Sequence, residues 1–189
     1  VSVRRRPRVA VFSTGDELAE PGRALAPAQT FDSNRFTLLS LLGGLPCVAS
    51  DLGILPDDAT HTAAALAEAA RSHDLLLTSG GVSTGDEDHV RTAIEASGRL
   101  VFWRLAVKPG RPAAMGVLPK SGEDFTAGGT PVMGLPGNPV ATVVCFLHLA
   151  RPLLLRLAGA EDRPLPRFTV TADFAYRKKA GRREYVRVT

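Results

Sequence analysis

The sequence predicts an α/β fold, with helices on both faces of a mostly parallel β-sheet in a three-layer α/β/α sandwich. Short apolar runs with strand character alternate along the chain with longer segments of helical character. Most of the 18 glycines and 14 prolines lie between these segments, where they predict short loops. We expect this domain to span residues 1–160, followed by a linker and a partial C-terminal β domain over residues 161–189.

Three apolar runs predict the first strands of the sheet. The runs lie at residues 8–12, 47–49 and 75–77. The Leu-Leu-Leu sequence of the third run is typical of a strand buried on both faces. The strands predicted further along the chain lie at residues 100–106, 112–118 and 132–134, with a hairpin-like surface loop over 121–130.

Capping residues predict where the helices begin and end. Asp32-Ser33-Asn34 starts a helix that Gly43-Gly44 ends, and Asp57-Asp58 precedes an alanine-rich helix. A third helix is predicted for residues 88–97. Asn138-Pro139 supplies an N-cap and first-turn proline for a fourth helix.

Prolines shape the last part of the sequence. Pro152 should kink the fourth helix before it ends near Gly159. Residues 168–174 and 184–188 alternate like β-strands after the proline-containing linker. The chain begins with Val rather than Met, so we expect it to be a piece of a longer protein.

Composition excludes several classes of function. The net charge is only +4 and 6% of residues are aromatic, so we expect no nucleic-acid partner and interpret the basic segments 4–8 and 177–183 as solvated ends. Cys47 and Cys145 are interpreted as buried thiols rather than a disulfide. The absence of a signal peptide and of an apolar run near 20 residues predicts a cytoplasmic protein with no membrane partner.

The loop Ser79–Gly85 has the clearest ligand-binding composition. Its glycines and hydroxyl residues run from a buried strand into a helix, where successive backbone N–H groups can bind an anion. Thr84 and Glu87 also fit a capping box, which explains the helix start but not the glycines. We expect this loop to cradle a phosphate-bearing small molecule.

Four further loops follow predicted strands and should meet at the same edge of the sheet. They cover residues 13–17, 53–58, 104–112 and 134–139. Asp16 and Glu17 could bind a metal or simply complete a turn, and Asp57 could be a ligand or an ordinary helix cap. Lys108 and Arg111 flank a rigid Pro-Gly turn that suits a phosphate or oxyanion. Together the loops predict a divalent metal that bridges a phosphate or oxyanion.

Five motifs in this order resemble the molybdopterin molybdenumtransferase family, of the MoeA and gephyrin E-domain type. The resemblance is dense over residues 3–160 and weaker to residue 189. The motifs are Ser13-Thr14-Gly15-Asp16-Glu17, Asp32-Ser33-Asn34-Arg35, Ser79-Gly80-Gly81-Val82-Ser83, Lys108-Pro109-Gly110-Arg111-Pro112 and Gly134-Leu135-Pro136-Gly137-Asn138-Pro139.

The resemblance implies an activity and its partners. Enzymes of this family insert molybdenum from molybdate into the dithiolene of molybdopterin. They take adenylylated molybdopterin as substrate, release AMP and need a divalent cation such as Mg²⁺. N-terminal domains precede this segment in the family, and the full-length protein is implied to be a homodimer.

The resemblance also implies residue roles. The catalytic residues are Glu17, Asp57 and Asp88, and these three together with Asp16 are the implied metal ligands. The implied substrate-binding residues are Thr14, Gly15, Ser79, Gly80, Gly81, Ser83, Lys108, Arg111, Pro136 and Asn138. Arg111 stands where lysine is also common in the family.

Two alternatives remain open from the sequence. The related molybdopterin adenylyltransferase shares the fold, but its loop usually contains Gly-Gly-Thr-Gly where this chain has Gly-Gly-Val-Ser at residues 80–83. The second alternative is a non-catalytic, gephyrin-like scaffold domain, against which the intact acidic set argues.

Overall fold

A six-stranded sheet forms the centre of the chain. The computed structural model describes residues 3–82, 88–121, 124–161 and 164–188. The sheet has the order β4-β1-β5-β9-β8-β6, and two short ribbons pair β2 with β3 and β7 with β10. The strands are β1 (Arg8–Thr14), β2 (Leu18–Ala19), β3 (Thr30–Phe31), β4 (Val48–Leu55), β5 (Leu75–Ser79), β6 (Arg99–Trp103), β7 (Val107–Lys108), β8 (Ala114–Ser121), β9 (Asp124–Leu135) and β10 (Arg183–Glu184).

The predicted mostly parallel sheet is confirmed. Strand β1 pairs in parallel with β4 and β5, and β5 pairs in parallel with β9. Strand β8 runs antiparallel to both β9 and β6, so it alone opposes the direction of the other sheet strands. The carboxyl ends of β4, β1, β5 and β9 therefore lie side by side.

Helices cover both faces of this sheet. They are α1 (Asn34–Gly43), α2 (Ala59–Ser72), α3 (His89–Ser97), α4 (Pro139–Cys145) and α5 (Arg151–Leu157), with a π-helical turn (Phe146–Ala150) between the last two. The Asp58 side chain accepts a hydrogen bond from the His61 N–H at 2.6 Å, and the Asn138 side chain accepts from the Ala141 N–H at 3.1 Å. The predicted caps of α2 and α4 are therefore confirmed.

Side chains alternate between two cores along the central strands. Ala10 and Phe12 of β1 pack beneath α2 and α3, whereas Val9 and Val11 pack on the opposite face against α1, α4 and α5. This burial on both faces explains why residues 9–12 of β1 and residues 75–77 of β5 are all apolar. The result is the predicted three-layer sandwich.

Strand β9 is longer than predicted. It runs over Asp124–Leu135 and pairs with β8, so most of the loop predicted at 121–130 is a hairpin strand. Gly128 and Gly129 suggested a loop, but the neighbouring strand supplies hydrogen-bond partners that composition does not reveal. The strand predicted over 100–106 is shorter and ends at Trp103.

The last helical segment departs from the sequence predictions in two ways. A π-helical turn precedes Pro152, whose ring nitrogen has no N–H to donate to the preceding turn. Within the described part of the chain, Pro139–Leu157 is long and apolar enough to cross a membrane by length and composition alone, with mean hydropathy 1.7 and 39% burial. The expectation that no apolar run approaches 20 residues was wrong, and packing of Phe146 and Leu154 in the core accounts for this composition.

The C-terminal segment contains less strand than its alternation predicts. Residues 168–174 form no strand, and residues 184–188 contribute only to the two-residue β10. Phe168 is 85% exposed and Val170 is 80% exposed. Alternating apolar residues form a strand only where a neighbouring strand and an apolar face are present, and among the described residues none lies beside 168–174.

Candidate functional site

A cavity of about 870 Å³ lies beyond the carboxyl ends of the parallel strands. Loops that follow β1, β4, β5 and β9 form one side, and residues 105–112 and 180–182 form the other. The predicted site residues on its wall are Thr14, Gly15, Glu17, Asp57, Gly80, Gly81, Lys108, Arg111, Pro136 and Asn138. Residues of all five predicted loops therefore meet in one place.

The loop after β5 approaches the end of β1 very closely. Gly80 has φ +92°, and a Cβ there would lie 2.7 Å from the Thr14 carbonyl oxygen. Gly81 has φ +65°, and its Cβ would lie 2.7 Å from Cγ2 of Val90. Only glycine fits both positions, which accounts for the Gly-Gly pair in physical terms.

The polar groups of this loop differ in their availability to a ligand. The Gly80 N–H already donates to the Leu135 carbonyl at 3.0 Å, so it is not one of the free amides that the sequence predicted. The buried Thr14 hydroxyl lies beside the cavity and has no hydrogen-bond partner among the described residues. Ser79 lies behind the wall, 2% exposed, where its Oγ accepts a hydrogen bond from Asn34 at 2.8 Å. Ser83 lies outside the described residues, as do Thr84 and Glu87.

Two of the predicted acidic residues line the cavity and two do not. Glu17 and Asp57 are on the wall, with the Glu17 carboxylate folded against Gly15 in the space that a Cβ would occupy. Asp16 is exposed outside the lining and donates its N–H to the Asp57 carboxylate at 3.1 Å.

Asp88 lies behind the wall at the start of α3. It is 4% exposed, its Oδ1 has no hydrogen-bond partner, and its Oδ2 lies 3.7 Å from Nε of Arg91. Burial raises the pKa of Asp88, and the charges of Arg91 and Arg104 offset this only partly. Among residues 3–82, 88–121, 124–161 and 164–188, no three Asp, Glu, His or Cys side chains form a group that could hold a metal ion. The four predicted metal ligands therefore do not form one cluster.

The cationic loop is fixed at both of its ends. The Leu105 N–H donates to the Arg111 carbonyl at 2.9 Å, and the Lys108–Pro109 peptide is cis. Gly110 has φ +115°, and a Cβ there would lie 2.7 Å from Sγ of Cys145. Cys145 is buried, as predicted, and burial raises the pKa of its thiol to about 11, whereas Cys47 is only half-buried. Lys108 and Arg111, on either side of this turn, both line the cavity.

Arg182 is a cavity residue that sequence reasoning missed. Strand β10 pairs with β7, and Ala180, Gly181 and Arg182 reach the cavity wall beside Lys108. The Glu184 carboxylate accepts hydrogen bonds from Arg182 Nε and from the Tyr176 hydroxyl. The interpretation of residues 177–183 as a solvated end was therefore wrong at Arg182, because a two-residue ribbon leaves no detectable pattern in the sequence.

Comparison with known proteins gives a consistent result. The sequence model of the family described as "Probable molybdopterin binding domain" matches residues 10–156. The chain is 40% identical over 184 residues to a molybdopterin molybdenumtransferase of Haemophilus influenzae, covering 97% of this chain and 43% of the relative. It is 36% identical over 163 residues to a molybdopterin molybdenumtransferase of a Nostoc species, covering 84% and 35%.

A solved structure agrees with these sequence matches. The molybdopterin biosynthesis MoeA protein from Pyrococcus horikosii superposes with a TM-score of 0.69 at 33% identity, covering 82% of this chain and 36% of that one. The chain thus spans less than half the length of the relatives it matches.

Proposed function

This chain belongs to the molybdopterin-binding domain family, and we propose that it forms the molybdopterin site of a molybdopterin molybdenumtransferase. The proposed reaction inserts molybdate-derived molybdenum into adenylylated molybdopterin and releases AMP. The observation that carries the proposal is the composition of a single cavity wall, where Lys108 and Arg111 face the same space as Glu17 and Asp57.

The cationic side chains at the cavity can reduce the main electrostatic cost of this reaction, which is the repulsion between two anions. Molybdate and a phosphate-bearing dithiolene are both anions, so bringing them together costs Coulomb energy. Lys108, Arg111 and Arg182 reach the cavity from two different segments and can offset that repulsion. The Thr14 hydroxyl and the Asn138 side chain add polar groups that can orient the ligand.

The acidic residues of the cavity wall are suited to proton transfer and to binding one divalent cation between them. Oxo groups of molybdate leave as water, which requires protons, and a Glu17 or Asp57 carboxylate can relay protons from solvent to them at the cavity wall. Asp88 lies behind the wall, and its assigned catalytic role remains a prediction that requires the site to rearrange on ligand binding.

A Mg²⁺ ion fits the carboxylates of the cavity wall only as a site with two protein ligands, completed by water and substrate phosphate. Mg²⁺ keeps several waters and is usually held by one or two carboxylates together with substrate phosphates. Glu17 and Asp57 on the wall match that requirement, whereas a site built from four carboxylates does not. We propose that these two residues hold the ion, which would neutralise phosphate charge once substrate is present.

The proposal also covers the domain organisation, the oligomeric state and the location of the complete protein. Residues 1–160 would be the molybdopterin-binding domain and residues 161–189 the linker and start of a C-terminal β domain. N-terminal domains of the same chain and a second copy in a homodimer would complete the enzyme. We place it in the cytoplasm, free of membrane and nucleic acid.

Turnover by the complete protein tests this function against its alternatives. Incubation with adenylylated molybdopterin, molybdate and magnesium should yield AMP and molybdenum cofactor in equal amounts. Consumption of ATP with unmodified molybdopterin would instead indicate an adenylyltransferase. Ligand binding without either reaction would indicate a scaffold domain.

A further inference from the structure

The motif Asp32-Ser33-Asn34-Arg35 contains no residue of the cavity wall, yet it contacts the strands that carry the wall. It forms the start of α1, directly after the short strand β3. Oδ1 of Asp32 accepts a hydrogen bond from the Ser13 hydroxyl at 3.0 Å, close to the carboxyl end of β1. Asp32 is 1% exposed and Ser13 is fully buried, so this contact lies inside the fold.

Arg35 extends the same set of contacts to the edge of the sheet. Its guanidinium is 3% exposed and donates to Asp32, to Asp51 in β4 and to Glu20 after β2. The three carboxylates account for its buried positive charge. Arg35 therefore fixes α1 against β4 and the chain that follows β2.

Asn34 connects two loops of the cavity directly. Its Nδ2 donates to Oγ of Ser79 at 2.8 Å and to the Gly137 carbonyl oxygen at 2.7 Å. Ser79 ends β5 and precedes the Gly80-Gly81 pair, whereas Gly137 lies in the turn between β9 and α4. Both hydrogens of one amide group are thus used to hold one loop to the other, and Asn34 itself is only 9% exposed.

We propose that Asn34 is a positioning residue that sets the distance between the ligand loops after β5 and after β9. The identity of the ligand in this inference rests on the proposed function, but the mechanical role of Asn34 does not. Within the described part of the chain, Oδ1 of Asn34 is buried without a hydrogen-bond partner, so the two donated bonds are what place the side chain. Loss of the amide group would leave the Gly137 carbonyl and the Ser79 hydroxyl without their shared partner.

The size of the effect follows from the two hydrogen bonds. Each contributes about 1 kcal/mol, which corresponds to roughly a fivefold change in an opening equilibrium. Asn34→Leu keeps the approximate size of the side chain and removes both N–H donors without offering a new acceptor to the Ser79 hydroxyl. We expect roughly 30-fold weaker molybdopterin binding, because both bonds are lost, and roughly fivefold faster amide exchange in each loop, which loses one of them.

Amide hydrogen exchange of the ligand-free chain supplies the decisive readout. The Gly80 N–H is bonded to Leu135 and the Ala141 N–H to the Asn138 side chain, so these two amides report on the two loops. The His73 N–H, bonded to the Ala69 carbonyl at the end of α2, serves as the internal reference. Ser33→Ala is the matched control, because exposed Ser33 makes no capping hydrogen bond with its side chain.

The outcomes separate this inference from the proposed function. Faster exchange at Gly80 and Ala141 with an unchanged rate at His73 supports Asn34 as a positioning residue. Equal acceleration at all three amides, or none, overturns it. If the wild-type chain binds no molybdopterin, the proposed function fails while the exchange data still decide the role of Asn34. Should Asn34→Leu not fold, Ser79→Ala must accelerate exchange at Gly80 and leave Ala141 unchanged.

Discussion

Asp16 and Asp57 form a reciprocal pair in which each main-chain N–H donates to the other residue's carboxylate. The Asp16 N–H donates to Oδ2 of Asp57 at 3.1 Å, and the Asp57 N–H donates to Oδ1 of Asp16 at 3.1 Å. This reciprocal pair joins the loop after β1 to the loop after β4, and it leaves Asp57 rather than Asp16 on the cavity wall. The two carboxylates therefore join the loops, and Asp57 also supplies charge to the cavity wall.

The first prediction separates these two roles. Asparagine can still accept through its amide oxygen, so Asp57→Asn and Asp16→Asn should both preserve the connection between the loops. Asp57→Asn removes a cavity charge and should lower AMP release by roughly 100-fold in the complete protein. Asp16→Asn should lower it by less than about fivefold. Equal losses of AMP release in the two variants would contradict the assignment of Asp57 to the site.

The second prediction concerns the close approach of the β5 loop to β1. Gly80→Ala forces a side chain into a left-handed conformation and onto the Thr14 carbonyl, so it should lower the free energy of unfolding by about 2–4 kcal/mol. Gly137→Ala is the control from the same cavity, because no atom lies within 4 Å of its Cβ position. Urea unfolding should show little change for Gly137→Ala, and a tolerated Gly80→Ala would show that the close approach is wrong.

The third prediction concerns Arg182, the cavity cation that the sequence did not predict. Arg182→Met should weaken molybdopterin binding by roughly tenfold and reduce its dependence on salt, because a charge-assisted contact to an anion is lost. Arg177→Met removes an exposed arginine of the same segment that does not line the cavity. Calorimetric titrations at two salt concentrations distinguish the variants, and similar affinities for both would exclude Arg182 from the site.

The fourth prediction concerns stability against acid. Burial raises the pKa of Asp74, but hydrogen bonds from Arg5 and from the Arg8 N–H, with the charges of Arg5 and Lys120, outweigh it and lower the pKa to about 2. Since the folded pKa lies below the unfolded value of 3.8, the carboxylate stabilises the fold above about pH 4, and this stability is lost as the pH falls toward 2.

Asp74→Asn should therefore lower the free energy of unfolding by about 1–2 kcal/mol at pH 7, a value reduced by solvent screening of the exposed Arg5. The difference in the free energy of unfolding between Asp74→Asn and the wild type should shrink as the pH falls from 4 to 3. Glu68→Gln breaks an exposed ion pair with Arg71 and should change stability by less than about 0.5 kcal/mol. Denaturant unfolding at several pH values measures both, and a deficit in Asp74→Asn independent of pH would contradict this account.

The sequence predicted those parts of the fold that local pattern determines. Apolar strands buried on both faces and the caps Asp58 and Asn138 each have a local cause that the sequence reveals. Loops after parallel strands also meet at one edge of a sheet for topological reasons, which is why the motifs converged as expected.

What the sequence could not predict depends on partners distant along the chain. Residues 124–130 form a strand because β8 lies beside them, and Arg182 reaches the cavity because β10 pairs with β7. The acidic residues show the same limit. Spacing alone could not tell that Asp57 faces the cavity while Asp88 lies buried behind it.

A crystal structure of this chain with bound molybdopterin tests the central claim most directly. The account predicts that the ligand fills the cavity between the Gly80-Gly81 loop and the segment Lys108–Arg111, with its phosphate within hydrogen-bond distance of the Thr14 hydroxyl or of these cations. A molybdopterin bound elsewhere on the chain, with this cavity holding only solvent, would contradict it.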